Sequence, residues 1–232
     1  MRKDIGAKTV LYPLPVLIIA AYGRDGKVQA MNAAWGGIAD DYKVAVCLSS
    51  YHKTVEAIRQ SGAFSVSFAD SEHVAEADYL GIASGNKDSD KFAHSGLHAA
   101  KGSKLGVPII DEFPVALECS VEDIAEIADQ TLRVIGRIEN VSADEKAFDG
   151  DGLLNISKVD PIVYDTVRRE YYSLGSKVAD AFSCGKKLMP RGASPSTGLS
   201  SVWCKGPPRR CVPSRPRGRP HAVGFLPVRV LV

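Results

Sequence analysis

The chain of 232 residues lacks several features that would indicate its function directly. Its five cysteines form no CxxC pair, and it contains no GxGxxG fingerprint, no GxxxxGK[ST] loop and no nucleophile elbow. Rossmann-type nucleotide binding, nucleoside-triphosphate chemistry and serine hydrolysis are therefore poorly supported. The apolar run at residues 16–21 is much shorter than the roughly 20 residues of a membrane span, so no membrane association is expected.

The few cysteines indicate a reducing compartment. Cys47 and Cys119 lie in apolar strand patterns, where a thiol acts as a small core residue. We therefore expect a cytoplasmic protein. His94 and His98 are four residues apart, but Gly96 interrupts the helical spacing and no carboxylate cluster accompanies them. No metal site is predicted.

Charge divides the chain into two regions. Residues 190–232 contain eight of the 29 Lys and Arg residues, eight of the 13 prolines and none of the 27 Asp and Glu residues. Such a composition cannot build a hydrophobic core. We predict a folded domain at residues 1–187 and a disordered, basic Pro/Arg-rich tail at residues 188–232. The tail lacks interleaved aromatics and a folded scaffold, so specific nucleic-acid binding is not expected.

Short strands dominate the hydrophobic pattern of the domain. Two apolar runs, residues 16–22 and 28–34, flank a Gly-Arg-Asp-Gly turn and predict a hairpin. Further strands are predicted at 44–48, 64–68, 115–121, 132–141, 162–164 and 171–174. Helices are predicted at 55–61, 71–83 and 91–93. Runs of hairpin-joined strands with few helices predict a mainly β (α+β) fold, a closed or split β-barrel with short peripheral helices.

A polar turn, Ser-Ser-Tyr-His-Lys-Thr at residues 49–54, leads into the first predicted helix. Thr54 is predicted to be the N-cap of this helix. A helix start carries unpaired N–H groups and partial positive charge, which favour a phosphate, and the turn adds further donors. The candidate binding residues are Ser49, Ser50, His52, Lys53 and Thr54. The alternative is a plain strand-to-helix connection.

Asn32 and Trp35 add an amide and a flat ring at the end of a neighbouring predicted strand. Together with the polar turn, they suit a cofactor that has both an aromatic ring and a phosphate. The alternative for Trp35 is an aromatic residue of the core or of a subunit interface.

Several separated segments in a fixed order resemble one family. These segments are YPLP at 12–15, MNAAWGG at 31–37, the turn at 49–54, DYLG at 78–81, Ser84-Gly85, DKF at 90–92 and YYSLG at 171–175. Over about residues 8–187 the chain resembles the flavin reductase-like family with an FMN-binding split barrel, particularly its flavoredoxin-like branch.

The resemblance implies a homodimer that binds FMN without a covalent bond, close to the subunit interface. It places the phosphate on the turn at 49–54, with Ser84 and Lys91 nearby. The flavin ring edge is then lined by Asn32, Ala33, Ala34 and Trp35. Gln29 stands where many relatives have Asn. For Lys91 the alternative is a solvated side chain that balances neighbouring aspartates.

The function implied is an FMN-dependent oxidoreductase. It would pass electrons from a reduced nicotinamide or a small redox protein through FMN to free flavin or a protein acceptor. The flavin supplies the redox chemistry, so no side chain is predicted as an obligatory acid or base. The alternatives are a flavoredoxin-like electron carrier without turnover of its own and a cofactor-free dimeric interaction module.

Overall fold

The computed structural model describes residues 1–190. Their compact unit is Met1–Lys187, and the predicted tail beyond residue 190 lies outside the described residues. The strands are β1 Leu14–Pro15, β2 Leu17–Tyr22, β3 Val28–Ala33, β4 Gly36–Asp40, β5 Lys43–Ser49, β6 Ala63–Phe68, β7 Ala99–Lys101, β8 Pro108–Ile110, β9 Val115–Ala128, β10 Thr131–Ala143, β11 Ile162–Asp165 and β12 Glu170–Ser173. The α-helices are α1 Lys53–Ser61, α2 Val74–Ile82, α3 Lys91–His94 and α4 Ile156–Val159, and short 3-10 helices lie at Glu145–Ala147 and Cys184–Leu188.

Seven strands form one antiparallel sheet in the order β3-β2-β6-β9-β10-β5-β4. Side chains from β3 and β5, near opposite ends of this order, pack into the same hydrophobic cluster. The sheet therefore curls into a barrel, which stays open because β3 and β4 are not paired with each other. The predicted mainly β split barrel with short peripheral helices is confirmed. A separate three-stranded sheet, β1-β11-β12, and the hairpin β7-β8 complete the β-structure of the described residues.

Strand β2 is buried on both faces, which explains its unbroken apolar sequence. Leu17 and Ile19 pack into the barrel interior, and Ile18 and Ala20 pack into a second cluster on the opposite face. That second cluster contains Ala77 and Leu80 of α2. It therefore fixes α2 against the outside of the barrel beside β3.

A buried carboxylate connects the barrel to the loop between β7 and β8. Glu118 of β9 is 1% exposed and accepts N–H hydrogen bonds from Lys104 (3.1 Å) and Leu105 (2.7 Å) and from Nδ2 of Asn140 (3.0 Å). Burial raises the pKa of Glu118, but these hydrogen bonds outweigh burial and hold that pKa below its ordinary value. Glu118 therefore remains ionised as a structural anion.

One predicted helix start needed correction, and several elements were not predicted. The helix predicted at 71–83 begins only at Val74, because the Asp70 carboxylate accepts the His73 N–H at 2.8 Å and holds the preceding residues in a turn. Strand β4 was not predicted, since Gly36–Asp40 is an exposed edge strand without apolar alternation. The three-residue strands β7 and β8 were not predicted either. No helix within residues 1–190 is long and apolar enough to span a bilayer.

Candidate functional site

A first cavity lies where β3, the start of α1, the end of α2 and the start of α3 meet. It encloses about 190 Å³. Its lining includes Gln29, Asn32, His52, Lys53, Thr54, Ser84, Gly85, Asn86 and Lys91. The lining contains two lysines, and none of the described residues that line it is Asp or Glu. Such a set of groups attracts an anion.

Lys91 is the buried cation of the first cavity. Lys91 is 8% exposed, and its Nζ donates a hydrogen bond to the Leu80 carbonyl at 2.7 Å. No carboxylate in residues 1–190 forms an ion pair with it. Burial lowers the pKa of Lys91 to about 8, against a smaller opposing effect of the Asp88 charge. A buried ammonium without a counter-ion is costly, and a bound anion would offset that cost.

The start of α1 forms part of the wall of the same cavity. His52 is the N-cap, and its carbonyl accepts the Val55 N–H at 2.9 Å. The prediction that Thr54 caps the helix is wrong, because the helix begins at Lys53 and Thr54 is its second residue. Lys53 and Thr54 are the first two residues of the helix. No carbonyl of the helix lies four residues before them, so their N–H groups have no partner within it.

Two polar side chains of the cavity have no partner in the described part of the chain. Thr54 is 3% exposed, and its hydroxyl makes no hydrogen bond within residues 1–190. Gln29 is 7% exposed, and its amide is likewise without a hydrogen bond there. Neither polar group is fully enclosed by protein, because among the described residues only the Ser67 hydroxyl is fully buried without a partner. Both side chains are therefore available to a ligand in this cavity.

Gly85 allows the loop after α2 to close over the cavity. A Cβ atom at this position would lie 3.2 Å from Cβ of Lys53 and 3.3 Å from Oε1 of Gln29. The wall is thus packed tightly against two lining residues.

His52 lies on the same wall, and burial, followed by the Lys91 charge, lowers the pKa of its imidazole. His52 is therefore neutral at pH 7.

A second cavity of about 350 Å³ adjoins the first. The two share Asn32, Gly81 and Ile82, and the second is also lined by Ala34, Trp35, Asp78, Tyr164, Arg169 and Tyr171. Asn32 donates from Nδ2 to the Ala77 carbonyl at 3.1 Å, which fixes its amide between the two cavities. Aromatic side chains line this second cavity, whereas two lysines line the first.

Comparison with models of known families shows which family the chain belongs to. A family model described as the flavin reductase like domain matches residues 9–175. The chain belongs to this family. The resemblance noted in the sequence is confirmed.

Several solved structures and a curated relative are similar to this chain. Flavoredoxin of Desulfovibrio vulgaris (Miyazaki F) is 39% identical with a TM-score of 0.75, and the match covers 80% of this chain and 100% of that one. An FMN-binding domain of a flavin reductases-like enzyme from Shewanella baltica, 21% identical with a TM-score of 0.63, covers 72% of this chain and 88% of its own, and shows the fold. An uncharacterized protein of Aeropyrum pernix is 32% identical over 126 residues, which are 53% of this chain but only 47% of that relative's length.

The structure gathers most of the predicted site residues of this flavin reductase-like chain. Asn32, His52, Lys53, Thr54, Ser84 and Lys91 line the first cavity. Asn32, Ala34 and Trp35 line the second, where Trp35 is 51% exposed. The solvated alternative for Lys91 does not fit its burial. A core position for Trp35 does not fit its exposure.

Three predicted residues lie outside both cavity linings. Ala33 is buried in the barrel interior. Ser49 ends β5 opposite Thr131, and the Ser50 N–H donates to the Gln130 carbonyl at 2.9 Å. Gln29, by contrast, was not predicted as a site residue. Its only sequence signal was the difference from the Asn that many relatives have there.

Proposed function

We propose that the first cavity binds the phosphate of FMN and that the chain is an FMN-dependent oxidoreductase. The observation that carries the proposal is Lys91, a buried cation that lines a cavity without any acidic lining residue among those described. A phosphate dianion would satisfy the Lys91 ammonium, the Thr54 hydroxyl and the first N–H groups of α1 together. Family membership and the FMN-binding relative of the same fold support this choice.

The residues between the two cavities would hold the ring end of the flavin. Asn32, which faces both cavities, and the neighbouring Ala34 and Trp35 offer an amide and a flat surface. When bound, FMN supplies the redox chemistry by accepting and releasing electrons. The protein binds and orients it, and we assign no acid or base to a side chain.

The proposed route runs from a reduced nicotinamide or a small redox protein to free flavin or a protein acceptor. A homodimer is proposed with it, since Trp35, Ile38 and Tyr42 leave 51%, 61% and 51% of their surface exposed beside the edge strand β4. The cytoplasmic location inferred from the cysteines remains a prediction.

Anaerobic mixing of the FMN-loaded protein with NADH or NADPH, followed by free flavin, tests the route. Continuous oxidation of the nicotinamide with reduction of free flavin is the expected result. Bound flavin that stays oxidised with both nicotinamides, yet accepts electrons from a reduced redox protein, would instead favour an electron carrier without turnover. A dimer that retains no FMN would be an interaction module.

Removing the Thr54 hydroxyl and removing the Ser50 hydroxyl should affect FMN affinity differently. Replacing Thr54→Val keeps the shape and removes one hydrogen bond to a charged group, so FMN affinity should fall about ten-fold. Replacing Ser50→Ala should change it less than about two-fold, since Ser50 does not line the cavity. Fluorescence titration of flavin-free protein with FMN measures both. Equal losses in the two variants would mean that the phosphate lies on the turn and not in the cavity.

The pH dependence of FMN affinity should report the protonation of Lys91. Its pKa of about 8 means that the ammonium is largely present at pH 7 and is lost as pH rises through 8. A bound dianion would raise this pKa, so FMN binding takes up a proton and affinity should fall up to about ten-fold per pH unit above pH 8. His52 is already neutral in this range. Titrations of the wild type and of Lys91→Met at about pH 7 to 9.5 should show a slope only in the wild type.

A further inference from the structure

A third cavity of about 230 Å³ adjoins the first on the side away from the second. It shares Gln29 and Lys53 with the first cavity, whereas the first and second cavities share Asn32, Gly81 and Ile82. None of the described residues lines both the second and the third cavity. The first cavity therefore lies between the other two, and on β3 its boundaries are Asn32 at one end and Gln29 at the other.

The side chain of Gln29 separates the first cavity from the third. Gln29 is 7% exposed although it lines both cavities. It lies between two glycines. A Cβ atom at Gly23, in the turn between β2 and β3, would be 3.6 Å from Cγ of Gln29, and one at Gly85 would be 3.3 Å from its Oε1. Backbone from two different loops therefore packs against this side chain and fixes it in the wall.

The third cavity does not continue the cationic character of the first. Two cations, Arg24 and Lys53, line it together with two anions, Asp25 and Glu56. Nζ of Lys53 is paired with Oε2 of Glu56 at 2.7 Å. The formal charges balance, so a second phosphate group would gain no net attraction there.

This wall matters because flavin cofactors differ at their phosphate end. FMN ends in one phosphate, whereas FAD continues through a second phosphate to an adenosine. With the ring end at Asn32 and the phosphate at Lys91 and Thr54, the adenosine of FAD would continue away from the ring, toward the third cavity. The side chain of Gln29 stands in that path.

We propose that Gln29 closes the phosphate end of the first cavity and thereby selects a flavin mononucleotide over a flavin dinucleotide. This inference rests on the proposed function, since it takes the phosphate of FMN to lie in the first cavity. Two effects act in the same direction. The side chain blocks the adenosine, and its amide, which has no partner within residues 1–190, can donate to a terminal phosphate oxygen that FAD uses for its bridge.

Calorimetric titration of the flavin-free full chain with FMN and with FAD tests this role. The wild type should bind FMN at least about a hundred-fold more tightly than FAD, because FAD meets the closed wall. Gln29→Ala opens the wall, so the affinity for FAD should rise at least about ten-fold while that for FMN falls by less than about ten-fold through the loss of one hydrogen bond. A residue that only supports the fold would lower both affinities when replaced.

Two further variants accompany this test. Gln60→Ala is the matched control, because Gln60 carries the same amide and lines the third cavity but not the first. It should leave both affinities within about two-fold of the wild type, as expected for a position outside the wall. Gln29→Asn keeps the amide and shortens the side chain by one carbon. Its gain in FAD affinity should lie between those of the wild type and Gln29→Ala, so the test holds even where the alanine variant folds poorly.

The outcomes separate this inference from the proposed function. A wild type that binds FMN and FAD equally well would overturn the role of Gln29 and leave the phosphate site in place. The same holds if both Gln29 variants lose affinity for both flavins, or if Gln60→Ala gains FAD affinity as Gln29→Ala does. A wild type that binds neither flavin would overturn the proposed function and this inference with it.

Discussion

Replacing Lys91→Met should weaken FMN binding about a hundred-fold. The residue is 8% exposed, lines the first cavity and is paired only with the Leu80 carbonyl. Removing one member of a buried ion pair typically costs about 2–5 kcal/mol, which includes this hundred-fold change. Methionine fills a similar volume without charge, so the cavity wall should persist. Flavin fluorescence titration gives the affinity directly.

Lys87→Met is the matched control, because Lys87 is exposed in the same loop and does not line the cavity. It should bind FMN within about two-fold of the wild type. The thermal stability of flavin-free Lys91→Met should equal or exceed that of the wild type, since burying the ammonium is itself unfavourable. A variant that folds normally and binds FMN as tightly as the wild type would remove the phosphate assignment.

Replacing Glu118→Ala should reduce the free energy of unfolding by about 3–5 kcal/mol. The change leaves the N–H groups of Lys104 and Leu105 and the amide of Asn140 without their acceptor, in a region where Glu118 itself is 1% exposed. These hydrogen bonds are partly buried, and each donor left without its acceptor costs about 1–3 kcal/mol. Urea denaturation measures the loss, which for a domain of this size corresponds to a fall of about 10 °C in Tm.

Two variants bracket this prediction. Glu118→Gln retains one acceptor oxygen and should cost less than the alanine. Glu126→Ala, at an exposed position of the same strand, should change stability by less than about 0.5 kcal/mol. A loss of similar size in Glu118→Ala and Glu126→Ala would show that the buried carboxylate does not hold the loop between β7 and β8.

The strands of the barrel could be predicted because each is encoded locally. The hairpin β2-β3 has apolar runs around a glycine-containing turn, and β9-β10 has alternation on both sides of a turn at Asp129 and Gln130. Edge strand β4 could not be predicted in this way. It contains two glycines and an aspartate and owes its extended form to pairing with β5.

The first cavity could be predicted only in part. The polar turn indicated an anion site through its composition, but whether Ser50 faces the cavity depends on its N–H bond to the Gln130 carbonyl, in the turn before the neighbouring strand β10. The burial of Lys91 and of Gln29 arises from the packing of α2 and α3 against β3. The second cavity joins Trp35 to Arg169, so no local pattern could reveal it.

The most direct test of the central claim is a visible absorption spectrum of the purified chain after incubation with excess FMN and desalting. We expect a retained flavin spectrum with about one FMN per chain, and its loss in Lys91→Met but not in Lys87→Met. A folded protein that remains colourless after this treatment, or that retains flavin equally in both variants, would contradict the proposed cofactor site.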